Sequence, residues 1–268
     1  MPVVELGEVS LSYHDKGAGH PVVMLMGMGG SGRVWELHQR PALLAAGYRV
    51  VTVDNRGIPP TSDCADGITV ADMAADVVAL AGHLALDRFS VVGTSLGGRI
   101  AIEVAAERPD LVAALVVMAT RSRAGKLHEV LDAGELEFAD AGGTLPPRYH
   151  AAVTALQNLS PHTLFDENAV GEWLDILEFA TQPPGPGVRA QMAIGDDPDL
   201  RAVCARVAAR SLVISFADDL IAPPHLVREL ADWLPGARFA GVERTGHFGY
   251  LERPAAVNDL LTGFLGEL

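Results

Sequence analysis

The chain has 268 residues, of which 49% are hydrophobic and 20% charged, with two cysteines. This length and apolar content exclude a disordered chain, a disulfide-stapled mini-protein and a collagen-like repeat, and leave room for one large domain carrying an insertion. Twenty Lys and Arg against 34 Asp and Glu give a formal charge of −14, which repels phosphate polyanions and anionic bilayers and so argues against nucleic acid or a membrane as partner.

The one dense basic stretch, Arg121, Arg123 and Lys126, reads as a solvated turn. Cys64 and Cys204 sit in no metal or redox spacing and are expected as free thiols of a reducing, cytoplasmic environment. The first residues lack the basic and apolar blocks of a signal peptide, and no apolar run approaches the ~20 residues that span a bilayer.

In chain order, residues 9–14 alternate as a strand and 22–26 form a continuous apolar run, expected of a strand buried on both faces. The glycine-rich turn Gly27-Met28-Gly29-Gly30 ends that run. Residues 35–46 predict a helix stopped at Gly47, and 48–53 a buried strand closed by Asp54-Asn55-Arg56-Gly57. Met73, Val77, Leu80 and Leu84 form one stripe of a helix over 70–84. A strand over 89–92, a helix over 99–107 and a strand over 111–119 follow. Repeated β-α-β units with apolar strands imply an α/β fold, a mostly parallel central sheet with helices on both faces.

From 121 to 200 the signals are helical only, interrupted by Pro146-Pro147 and the Pro/Gly-rich run 182–187. Strand, helix, strand and helix then resume over 211–217, 224–234, 238–242 and from Pro254. The expected organisation is a core of 1–120 and 201–268 with an inserted helical cap over 121–200.

The strongest chemical motif is Gly93-x-Ser95-x-Gly97 between an apolar strand and a helix. A serine on such a crowded turn projects its hydroxyl above the sheet edge, and only near side-chain-free neighbours fit. Of nine histidines, His247 follows the last strand signal in a glycine-flanked loop, at the end of a parallel sheet where sites form. Asp218 and Asp219, just past a strand, offer two carboxylates, one of which would orient the histidine.

The backbone amides of Leu96 and Met28 are the expected oxyanion donors, with Gly27, Gly29 and Gly30 keeping side chains off an incoming carbonyl. The glycines do not complete a dinucleotide fingerprint, and no phosphate-loop lysine follows them. Gly27, Trp173 and Phe248 are the candidate pocket residues; Trp173, with Phe165 and Phe179, suggests either a modest apolar substrate or the cap's own core.

Five segments carry a family resemblance: VVMLMGMGGSGRVW, VVTVDNRGIPPT, VVGTSLGGRIA, VISFADDLIAPP and RTGHFGYLERP. They resemble the α/β-hydrolase superfamily over essentially the whole chain, and within it the cofactor-free non-haem bromoperoxidase group. The resemblance implies Ser95 as nucleophile, His247 as base and Asp219, four residues before Pro223, as the acid. It departs at Met26-Gly27, where many members carry His-Gly, and at Phe216, where a glycine is usual.

The function expected is hydrolysis of a small-molecule ester, thioester or lactone through an acyl-enzyme, without metal or organic cofactor. A promiscuous perhydrolase or haloperoxidase reaction through a peracid goes with the resemblance. A lyase or carbon–carbon bond hydrolase could use the same three residues, and a non-catalytic binding protein is the reading of another class. Oligomeric state and natural substrate are not legible.

Overall fold

Strands that are apolar throughout need cover on both faces. The computed structural model, which describes residues 2–64, 67–181, 184–195 and 199–268, supplies it. Among the described residues eight strands form one sheet: β1 (Val3–Leu6), β2 (Val9–Lys16), β3 (Pro21–Leu25), β4 (Arg49–Val53), β5 (Phe89–Thr94), β6 (Val112–Met118), β7 (Arg210–Phe216) and β8 (Arg238–Val242). Their order is β1-β2-β4-β3-β5-β6-β7-β8. β1 and β2 are antiparallel, as are β2 and β4; every other pair is parallel. The protein is α/β, as the alternation of elements implied.

The period of two along each strand divides the core. Val22, Met24, Val50, Val116 and Ile214 face one side with Trp35, α1 (Gln39–Ala45) and α12 (Pro254–Leu265). Val23, Leu25, Val51, Leu115 and Val213 face the other, with α2 (Val70–His83), α3 (Leu96–Glu107) and α10 (Pro224–Trp233). Each such buried aliphatic side chain stabilises the fold by roughly 1.5–3 kcal/mol. α2 begins where Thr69 and Asp72 cap each other reciprocally: Thr69 Oγ1 accepts the Asp72 amide (3.1 Å) and Asp72 Oδ2 accepts the Thr69 amide (2.8 Å).

Three expectations change. The sheet begins earlier than residue 9, because β1 folds back on β2 through Gly7, whose φ of +68° suits glycine. The helix expected over 35–46 is two pieces, a 3₁₀ turn Gly32–Glu36 and α1, broken at Leu37 and His38. The helix expected from 99 begins at Leu96, directly after Ser95.

The helical stretch contains α4 (Lys126–Asp140), α5 (Pro147–Asn158), α6 (Pro161–Leu164), α7 (Glu167–Ala180), α8 (Pro186–Met192) and α9 (Leu200–Ala205). Of the run 182–187, Gln182 and Pro183 lie outside the described residues, and Pro186 opens α8. α5 packs on α7 and α4 on α8, whereas α9 packs on α3 and α10 of the core. α9 runs across the 200/201 boundary expected from the sequence. No helix among the described residues is long and apolar enough to cross a membrane.

Candidate active site

β5 is buried along its whole length and delivers Ser95 to its C-terminal end. There the chain must turn from strand into α3 within one residue. Ser95 takes φ +54° and ψ −122°, a region that a non-glycine residue occupies at a cost of about 1–3 kcal/mol. Packing and hydrogen bonds hold it there. Its amide donates to Met118 O (3.0 Å), and its carbonyl accepts from Gly98 N (3.0 Å) and Thr120 Oγ1 (3.0 Å). Gly97 touches the strand before the turn so closely that a Cβ there would lie 2.7 Å from the Leu25 carbonyl carbon. The flanking glycines are therefore steric necessities.

The turn after β3 lies against this elbow. A Cβ on Gly27 would stand 3.1 Å from Ser95 Cβ and 3.6 Å from Ser95 Oγ. Gly30 N–H donates to Gly27 O (3.1 Å), and Gly29 has φ +70°, which makes residues 27–30 a type II β-turn with Met28 at its second position. Residues at the end of β4 fix the approach. Asn55 Nδ2 donates to Met26 O (2.8 Å), and Asp54 Oδ1 accepts from Ser31 Oγ (2.7 Å) and Gly32 N (2.8 Å). Leu96 opens α3, where a backbone amide has no acceptor within the helix.

β7 and β8 deliver the other two side chains to the same edge of the sheet. Asp219 is 2% exposed, and its Oδ1 accepts the amides of Ile221 and Ala222, each at 2.8 Å. His247 is 8% exposed and sets Nδ1 2.9 Å from Asp219 Oδ2 and 3.1 Å from Oδ1. A carboxylate at Nδ1 selects the tautomer that keeps a lone pair on Nε2. Asp218 points elsewhere: its Oδ2 accepts from Ser160 Oγ (2.6 Å), and its own amide donates to Thr245 O (2.8 Å).

A cavity of about 140 Å³ is walled by Met28, Ser95 and Leu96 from the core turns and by Gln191 and Met192 from α8. Arg121 and Asp132 pair at its wall. Of the pocket residues expected from sequence, none is in that wall. Gly27 lies beneath Ser95, while Trp173 and Phe248 stack on each other (6.1 Å, 24°), with Phe248 6.4 Å from the His247 ring. Phe165, which follows α6, and Phe179 of α7 are 86% and 91% exposed and form neither cap core nor cavity lining; neither helix buries any of its residues. Burial pushes the Tyr250 phenol well above its ordinary range, so it stays neutral behind Phe248.

Sequence reasoning did not single out two groups that tie the helical stretch to the site. Glu252 Oε1 accepts from Ser160 N (2.9 Å) and Thr163 Oγ1 (2.6 Å), and its Oε2 accepts from Gly246 N (2.6 Å), beside His247. Gln191 Oε1 accepts from Gly29 N (2.9 Å) while Nε2 donates to Arg56 O (2.7 Å). Both act across long sequence separations and carry no local signal. Among the described residues no group of three or more His, Cys, Asp or Glu is placed to hold a metal ion.

Residues 22–260 match the alpha/beta hydrolase family. A protein named as a non-heme bromoperoxidase, BpoC of Mycobacterium tuberculosis, is 42% identical over 260 residues, covering 97% of this chain and 99% of its own. Its crystal structure superposes with a TM-score of 0.91, covering 96% of each chain. A protein named as a carbamate hydrolase, RutD of Variovorax paradoxus, is 30% identical over 258 residues, 95% of each chain. The enol-lactonase of Burkholderia xenovorans LB400, at 24% identity and TM-score 0.85 over 99% of this chain and all of its own, shares the fold.

Proposed function

Because the chain belongs to the alpha/beta hydrolase family, we propose that it hydrolyses a small ester, thioester or lactone through an acyl-enzyme on Ser95. One observation carries the reading: a buried Asp219 carboxylate holds His247 by Nδ1 at the sheet edge that also presents Ser95 on a strained turn. The relative named as a carbamate hydrolase adds support, since a carbamate presents the same kind of acyl carbon.

In this reading Ser95 Oγ attacks the acyl carbon while His247 Nε2 takes its proton. Asp219 stabilises the imidazolium that forms. The Met28 and Leu96 amides receive the negative oxygen of the tetrahedral intermediate. His247 returns the proton to the leaving alcohol or thiol, and the acyl group stays on Ser95. Water, deprotonated by His247, attacks the acyl-enzyme; the Ser95 Oγ–acyl bond breaks, His247 returns the proton to Ser95 Oγ, and the acid is released. No step requires a metal or organic cofactor. The stretch from α4 to α8 acts as the cap, closing the cavity over Ser95, and the two thiols, Cys64 and Cys204, suit a reducing cytoplasm.

Mixing the protein with excess p-nitrophenyl acetate tests the proposal. A burst of about one p-nitrophenol per chain, absent from a folded Ser95→Ala variant, is expected. Equal turnover in that variant refutes the assignment.

A further inference from the structure

The oxyanion turn does not stand on core residues alone. Within the type II turn 27–30, the peptide joining Met28 to Gly29 makes no bond inside the turn, and such a central peptide can flip to the type I orientation. The flip exchanges the directions of the Gly29 N–H and the Met28 carbonyl. Here the Gly29 N–H meets Gln191 Oε1 at 2.9 Å, in the wall of the cavity that holds Ser95. Gln191 is 2% exposed, and its amide group is oriented by the donation of Nε2 to Arg56 O at 2.7 Å. Rotating the carboxamide would break both bonds at once, one to each of two backbone groups.

α8, which carries Gln191, is seated against the 55–57 loop. Gly187 and Gly57 touch through their backbones, and a Cβ on Gly187 would lie 2.7 Å from Asp63 Oδ1. A helix docked this way sets the height from which Gln191 reaches the turn. The Met28 N–H belongs to the neighbouring Gly27–Met28 peptide, which shares the Met28 Cα with the peptide that Gln191 holds, so this bond steadies the turn from which that N–H faces the cavity.

We propose that Gln191 is a positioning residue for the reaction: by holding the Gly29 N–H it fixes the 27–30 turn, and with it the backbone that carries the Met28 amide, so that the helical insertion governs how well the Met28 oxyanion donor is placed. This rests on the reading of Ser95 as nucleophile and of Met28 and Leu96 as donors. Loss of an entire oxyanion donor lowers kcat by about 10²–10³-fold, which bounds the effect from above.

The test compares wild type with Gln191→Met, of similar length and without the carboxamide, and with Gln191→Ala as a second variant should the first fail to fold. Melting temperature, kcat and KM for p-nitrophenyl acetate, and the rate of Ser95 phosphonylation by a p-nitrophenyl phosphonate, are read together. Expected are a folded variant, kcat lower by roughly 10–100-fold, KM within about threefold, and phosphonylation slowed in parallel with kcat. A folded variant with wild-type kcat and phosphonylation rate overturns the inference, as does a rise in KM alone. Absence of phosphonate on Ser95 in the wild type overturns instead the reading on which it rests.

Discussion

Asp219→Asn separates a catalytic carboxylate from a structural one. In the wild type, Asp219 Oδ1 takes the amides of Ile221 and Ala222 at 2.8 Å, and Oδ2 lies 2.9 Å from His247 Nδ1. Asparagine keeps an oxygen for the two turn amides, so the loop is retained, and the loss of the charge that assists its bonds costs about 1.5–3 kcal/mol. Its NH₂ must then face His247. That arrangement makes Nδ1 the acceptor and moves the ring proton to Nε2, where it blocks transfer from Ser95. The known consequence of this tautomer error in serine enzymes is a loss of about 10⁴ in kcat, or roughly 5.5 kcal/mol of barrier.

Asp218→Asn is the control, because Asp218 serves Ser160 Oγ at 2.6 Å and an asparagine oxygen can still accept that bond. Activity within a few-fold of wild type is expected. Steady-state kcat on p-nitrophenyl acetate, with melting curves for both variants, makes the comparison. A loss of several orders of magnitude in Asp218→Asn with near wild-type Asp219→Asn would refute the reasoning.

Gly97→Ala should destabilise the fold by about 1–3 kcal/mol or more, since its Cβ would press on the backbone of Leu25 and Met26; a melting temperature equal to wild type would contradict this. Glu252→Ala removes three bonds joining the 160–163 corner to the His247 loop, and a fall of roughly 2–4 kcal/mol in urea unfolding, with reduced kcat, is expected. Glu267 is held at about 2, first by Arg238 and then by Arg210. A depressed carboxylate contributes fully above its ordinary pKa and loses that contribution as pH falls toward 2, so Glu267→Gln should flatten the acid limb of the stability profile there; all three groups are exposed and the effect is small. Bromination of a dye with peroxide should require added acetate and Ser95, because peroxide would displace the acyl group as a peracid that then oxidises bromide; acetate-independent bromination surviving in Ser95→Ala would contradict that route.

What could be read from the chain follows the range of the forces involved. The elbow was legible because its constraint is local: strand, serine between glycines and helix follow one another without a break over 89–107. The parallel sheet was legible because β3 and β6 are apolar throughout and β4 and β5 are built around the pairs Val50-Val51 and Val91-Val92. β1 was missed because an edge strand with alternate residues exposed has no continuous apolar run. Asp218 and Asp219 are chemically equal in sequence, and the resemblance favoured Asp219; the turn that buries one and gives the other to Ser160 is a tertiary feature. Phe165 and Phe179 mislead because hydrophobicity alone does not say whether a helix face finds a partner. Glu252 and Gln191 act over separations of 92 and 162 residues, beyond any local pattern.

The central claim is that an acyl group resides on Ser95 during turnover. Treatment with a p-nitrophenyl phosphonate, followed by proteolysis and mass mapping, tests it most directly. The account predicts complete loss of esterase activity with one phosphonyl group on the peptide carrying Ser95 and on no other. Modification of a different residue, or full activity in protein whose Ser95 is quantitatively phosphonylated, would contradict it.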